Sequence, residues 1–158
     1  MGRFAENTSV SAAKSKAEIE ETLTRYGANK FMYGADEKSA TVMFEYNQIT
    51  IRFTVPLPDK NDEKFRISGH IPPRERTQAD AYRHWEQATR QRWRALCLVI
   101  KAKLEAVETG ITTFQDEFLA HIITPTGRTI GETIGGQIAT AMKTGKMPKM
   151  IPMFGEKG

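Results

Sequence analysis

Residues 78–108 read QADAYRHWEQATRQRWRALCLVIKAKLEAVE, and this stretch decides the fold. No proline or glycine interrupts it before Gly110. Thr77, with Asp80 three residues on, supplies a helix start, because a hydroxyl there accepts from the free backbone N–H groups of the first turn. A helix from Gln78 to Glu108 rises 1.5 Å per residue and spans roughly 50 Å. Stepping about 100° per residue from Arg83 brings Arg90, Arg94 and Lys101 within about 20° of it. These four cations form a stripe. Opposite them, between about 160° and 300°, lie Tyr82, Trp85, Trp93, Leu96, Val99, Ile100, Leu104 and Val107. That arc is wide enough to bury against a sheet and further helices. Arg92 and Lys103 fall inside it, so each must snorkel, pair with a carboxylate or reach a ligand. Cys97 lies at the edge of the arc and reads as a packed thiol.

Upstream, Ser15-Lys16-Ala17-Glu18 reads as a capping box opening a first helix, with Ile19, Leu23 and Tyr26 on its apolar face and Gly27 at its end. The period then changes. Lys30 to Ala35 reads as a strand and Asp36-Glu37-Lys38 as a turn. Ala40, Val42, Phe44 and Tyr46 then alternate with polar or exposed positions. After Asn47-Gln48, so do Ile49, Ile51, Phe53 and Val55. Period-two patterning in Ile, Val, Phe and Thr marks half-buried strands, and short connections make them an antiparallel meander. Pro56 and Pro58 end it. Residues 59–75 read as a flexible loop, with a short strand at Phe65 to Ser68. Beyond the long helix, Thr113 caps a helix carrying Phe114 and Phe118, and Pro125-Thr126-Gly127 turns the chain. Thr129 then caps a last helix that ends at Gly145. The expected fold is α+β: an N-terminal helix, a three-stranded antiparallel meander, the long helix and two short C-terminal helices. One domain is expected over residues 15–146, with a flexible arm over 1–14 and a flexible basic tail over 147–158.

The 158 residues fit one domain, and 39% hydrophobic with 27% charged is ordinary for a globular chain. Cys97 is the single cysteine, which excludes an internal disulfide. No run approaches the ~18 apolar residues of a membrane span, and MGRFAENTSV lacks the apolar stretch of a secretion signal. A soluble cytoplasmic chain without a membrane partner is expected. The net charge of +4 is unevenly spread. Residues 76–103 hold 7 basic against 2 acidic side chains, whereas residues 104–142 hold 1 against 5. A concentrated basic segment suits a polyanionic partner.

Motifs for chemistry are missing. His70, His84, His121 and Cys97 do not stand at zinc-ligand spacing. Gly127, Gly131, Gly135 and Gly136 form neither a phosphate loop nor a dinucleotide fingerprint. Gly145-Lys146 lacks the upstream glycine, with Thr140 in its place, and is followed by Met147. Glu105 with Glu108 and Asp116 with Glu117 read as solvated helix surface. No catalytic residue, metal or cofactor is expected, and the chain reads as a binding protein rather than an enzyme.

The stripe Arg83, Arg90, Arg94 and Lys101 is either a solvated face or a row of phosphate contacts at one- and two-turn spacing. Arg92, Lys103 and Arg52, the last between Thr50 and Thr54 on a strand, are added to the candidate nucleic-acid-binding set. Trp85 and Trp93 could stack on bases, but their place in the apolar arc suits core packing.

Trp93 to Glu108 (WRALCLVIKAKLEAVE), followed by Gly110 to Phe114 and by Glu117-Phe118, resembles a family of small proteins of bacteriophages and mobile elements. Tyr26-Gly27-Ala28, the strands and Pro56-Leu57-Pro58 fit the same family, over residues 15–150. The resemblance implies phage or prophage origin and carries no activity or site residues with it. The order of helix, meander and long helix is also loosely similar to the core of single-strand annealing proteins. The first functional expectation is therefore a nucleic-acid-binding accessory of phage replication or recombination, with DNA ahead of RNA. The second is an inhibitor of a host defence system that binds a nucleotide signal or a host protein. Self-association is compatible with both.

Overall fold

A computed structural model describes residues 5–147. Its elements run α1 (Ala12–Arg25), β1 (Asn29–Ala35), β2 (Ser39–Tyr46), β3 (Ile49–Pro56), α2 (Glu63–Arg66), α3 (Gln78–Glu108), α4 (Phe114–Phe118), a 3-10 turn (Leu119–His121) and α5 (Ile130–Thr144). The fold is α+β, with the three strands in the order β1-β2-β3 and antiparallel throughout.

The strand register follows from the alternation. Ala40 pairs with Val55, Val42 with Phe53 and Phe44 with Ile51, so one face of the sheet is continuously apolar and buried. Asn47 and Gln48 join β2 to β3 with φ of 47° and 65°. Two central residues with positive φ match the right-handed twist of the flanking strands. Asp36 stabilises the other turn by accepting from the backbone N–H groups of Lys38 (2.7 Å) and Ser39 (2.6 Å). Helices α1 and α3 cover the apolar face, and Ile19, Leu23, Trp93, Leu96, Cys97, Ile100 and Leu104 join the sheet residues in one core. Phe114 and Phe118 close its end, with Phe118 set edge-on to Phe44 and Phe53.

Several local readings change. Helix α1 begins at Ala12, capped by the Ser11 hydroxyl, which accepts from Lys14 N–H at 3.1 Å. Ser15 is buried in the helix, and its hydroxyl has no hydrogen-bond partner among the described residues. A cap at Ser11 lets Ala12 pack on the core and adds a turn before Ile19. The stretch expected as a short strand at Phe65 to Ser68 instead starts as α2, with Phe65 buried, and continues into a narrow ribbon. The ribbon is fastened by the Ile67–Glu75 bridge, by Ser68 N–H to Arg74 O (2.8 Å) and by Arg76 N–H to Arg66 O (2.7 Å). Arg76 braces it further, donating from Nη1 to the carbonyls of Lys64, Phe65 and Ile67.

Residues 5–11 precede α1, and Gln87 on α3 donates to the carbonyls of Glu6 (3.3 Å) and Thr8 (2.8 Å). The expected tail over 147–158 lies outside the described residues apart from Met147. No helix among the described residues is long and apolar enough to cross a membrane.

Helix α5 stands apart from the core. It has a complete capping box between Thr129 and Glu132 and ends at Gly145 with φ 67°, yet none of its residues is buried. Its one tight approach is Gly131, where a Cβ would come within 3.0 Å of the Ala120 carbonyl oxygen.

Candidate nucleic-acid interface

The buried arc of α3 is narrower than the sequence pattern suggests, and it is turned toward the cationic stripe. Trp93, Leu96, Cys97, Ile100 and Leu104 are buried, whereas Tyr82 and Val99 are each 45% exposed. On the same wheel the buried positions run from about 220° to 320°. Tyr82 lies N-terminal to the buried stretch, and Val99 points away from it. Because the buried arc reaches Cys97 and Leu104, the stripe borders the core, and α1 packs beside it.

This placement gives the stripe intramolecular partners. Arg94 donates to Glu18 of α1 at 2.5 Å, and Lys101 pairs with the other oxygen of the same carboxylate. Arg83 pairs with Asp80, and Arg90 pairs with Glu86 (3.5 Å) and donates to the side-chain amide Oε1 of Gln87 (2.6 Å). Of the two cations expected inside the apolar arc, Lys103 pairs with Glu117 at 3.0 Å and lies 5.7 Å from the centroid of the Phe118 ring. Arg92 is exposed and has no partner among the described residues. Arg52 donates to Glu132 (2.7 Å) and to the Gly127 carbonyl (3.1 Å). The segment around Ile122 and Ile123 runs along the free edge of β3, and Arg52 stays on the outer sheet face with exposed Thr54 and Met32, tied by its guanidinium to the turn and helix that follow. The seven candidate cations therefore do not converge on one surface.

The ion pairs leave their mark on protonation. The hydrogen bond from Lys101, joined by that from Arg94, holds Glu18 below the usual carboxylate range despite its partial desolvation. Arg83 likewise lowers Asp80. Burial pushes the Cys97 thiol up, assisted by the negative charge of Glu18, so it is a packed thiol and not a thiolate nucleophile. Burial also lowers His121, which stacks on Phe53 at 4.2 Å between ring centroids. No group of three His, Cys, Asp or Glu among the described residues is arranged to hold a metal.

A different set of cations comes together at the N-terminal end of α3, and the sequence pattern did not single it out. Lys60 lies 5.2 Å from the Tyr82 ring centroid and 5.7 Å from that of Trp85, and the two rings are 5.4 Å apart. Trp85 is fixed by donating from Nε1 to the Pro58 carbonyl at 2.9 Å. Arg66 and Arg74 are exposed on the ribbon, and neither has a carboxylate partner among the described residues. Lys60, Asn61, Arg66, Gln78 and Tyr82 line a cavity of about 580 Å³ whose wall includes no carboxylate. The cleft between α1 and α3, about 460 Å³, differs in setting Glu105 and Glu108 against Arg25 and Lys101. The Tyr82 signal was hidden because helical angle alone assigned that residue to the core; the irregular loop that supplies Lys60 and the four-residue helix α2 that ends at Arg66 are too short to carry a periodicity.

Comparison with protein-family models, with curated proteins and with solved structures gives no match for this chain.

Proposed function

We propose that this chain is a non-enzymatic nucleic-acid-binding protein, an accessory of phage replication or recombination that takes DNA ahead of RNA. One observation carries the reading: Lys60 and Arg66, free of carboxylate partners among the described residues, line a cavity beside a partly exposed aromatic at the start of α3, and Arg74, likewise without a carboxylate partner, is exposed on the adjoining ribbon. Cations that spend no charge on the protein itself are the ones that release counterions when they meet phosphate. Arg94, Lys101, Lys103 and Arg52 would each have to leave a carboxylate first. The contact surface is therefore assigned to the ribbon and the N-terminal end of α3, with Arg92 as an outlying contact. The resemblance of residues 93–118 to phage proteins supports only the phage origin in this reading.

The test is fluorescence anisotropy with labelled single-stranded DNA, duplex DNA and RNA over a range of salt. Three phosphate contacts predict a log–log salt slope of about −2 to −3. Replacing Arg66 and Arg74 together by Gln should reduce that slope by about 0.7–0.9 per cation. Absence of binding to all three at about 50 mM salt would overturn the proposal.

A further inference from the structure

We infer that the cavity at the start of α3 is a single-strand subsite, in which Tyr82 stacks on an unpaired base while Lys60 and Arg66 hold the adjoining phosphates. The inference rests on the nucleic-acid reading above and narrows it to one ligand class.

Three features make the site. The first is the aromatic platform. Tyr82 is 45% exposed although it belongs to the long helix α3, and its ring leans on Trp85 at 5.4 Å between centroids. Trp85 is in turn fixed through its bond to Pro58, so the platform is held from behind. A rigid ring offers stacking to any base, since every base has a π face. The second is the position of charge. Lys60 lies over the Tyr82 ring, 5.2 Å from its centroid, and its long side chain can swing aside to a phosphate as a base stacks, while Arg66 comes from the end of α2, so two cations line the volume that a stacked nucleotide would fill. The third is size and polarity. About 580 Å³ accepts one nucleotide unit, and Asn61 and Gln78 offer amide donors and acceptors without adding charge.

A base enters such a cavity only when it is free of its duplex partner. Stacking on one ring with cations at the side is how strand-tracking grooves recognise single strands without reading sequence. A duplex would present phosphates but no base face to Tyr82. The ribbon that carries Arg66 is braced by Arg76 and by two backbone bonds, so Arg66 is presented from a fixed support.

The experiment uses the full chain and three ligands at matched salt: a 20-nucleotide oligothymidylate strand, a duplex of the same length, and free thymidine monophosphate. The strand is expected to bind at least tenfold more tightly than the duplex, with no saturation by the monophosphate at micromolar concentration. Tyr82→Ala should weaken strand binding by roughly five- to 150-fold, the range for loss of one base–aromatic stack, while Tyr82→Phe retains it. Lys60→Gln and Arg66→Gln should each lower the salt slope by about 0.7 without abolishing binding. Thermal melts of each variant establish that it is folded, and Tyr82→Phe serves as the reference if Tyr82→Ala melts early. Equal binding by Tyr82→Ala and Tyr82→Phe overturns the inference, as does preference for the duplex. Tight saturation by the monophosphate replaces the strand with a free nucleotide as the ligand. In those cases nucleic-acid or nucleotide binding as such survives or is redefined, whereas failure of every ligand to bind removes the proposed function itself.

Discussion

Glu18 on α1 faces Arg94 on α3 across the helix–helix seam, with 2.5 Å between carboxylate oxygen and guanidinium nitrogen. Lys101, two turns further along α3, takes the other oxygen of the same carboxylate. One acid thereby joins two members of the basic stripe and fixes how α1 lies along the long helix. The stripe is in this stretch a packing device, and its cations are unavailable to a partner unless α1 gives them up.

Glu18→Gln should destabilise the fold by about 1–2 kcal/mol, between the value of an exposed pair and that of breaking a buried one. The pH dependence has a definite sign. Glu18 is held below its ordinary pKa in the folded protein, so its stabilisation is present above that ordinary value and is lost as pH falls through the folded one. Melting curves of wild type and Glu18→Gln should thus differ at pH 7 and converge in acid. A constant difference down to pH 2 would show that the carboxylate charge is not what holds the seam.

Ser11 and Ser15 separate two assignments of the start of α1. Ser11→Ala removes the cap and should cost about 1 kcal/mol. Ser15→Ala removes a buried hydroxyl that has no partner among the described residues and inserts the best helix former, so it should be neutral or stabilising by up to about 1 kcal/mol. Chemical denaturation of the two variants would reverse this order if Ser15 were the cap.

Arg92 and Lys103 were expected in one apolar arc, yet their surroundings differ. Arg92→Ala should alter stability by no more than about 0.5 kcal/mol, as for an exposed side chain without partners. Lys103→Ala strands the Glu117 carboxylate and uncovers Phe118, and should cost about 1–2 kcal/mol. Equal losses in denaturant titrations would count against the Lys103–Glu117 pair.

The α5 glycines differ in what surrounds them. Gly135 and Gly136 have open space where a Cβ would go, so changing either to Ala should stabilise by about 0.4–1 kcal/mol through helix propensity and the unfolded chain. Gly131→Ala meets the Ala120 carbonyl at 3.0 Å and should forfeit that gain. Melting temperatures that rise equally for all three would show that the 3-10 turn yields freely.

Much of the architecture was legible in local pattern. The limits of α3, its Thr77 cap, the inward residues of β2 and β3 and the Thr129 cap depend on periodicity and on hydrogen bonds spanning three or four residues. Such features are set within a few neighbours along the chain, so the sequence determines them by itself. The candidate site was far less legible. Whether Arg94, Lys101, Lys103 and Arg52 are free depends on Glu18, Glu117 and Glu132, which lie 14 to 83 residues away in sequence. A helical wheel assigns an angle to each cation but cannot place a carboxylate from another element beside it. Nor can it show that the core ends before Tyr82 or that an aperiodic loop brings Lys60 to that ring. Those decisions belong to the tertiary structure, because charge is neutralised, and rings are covered, by whatever packs against them in space.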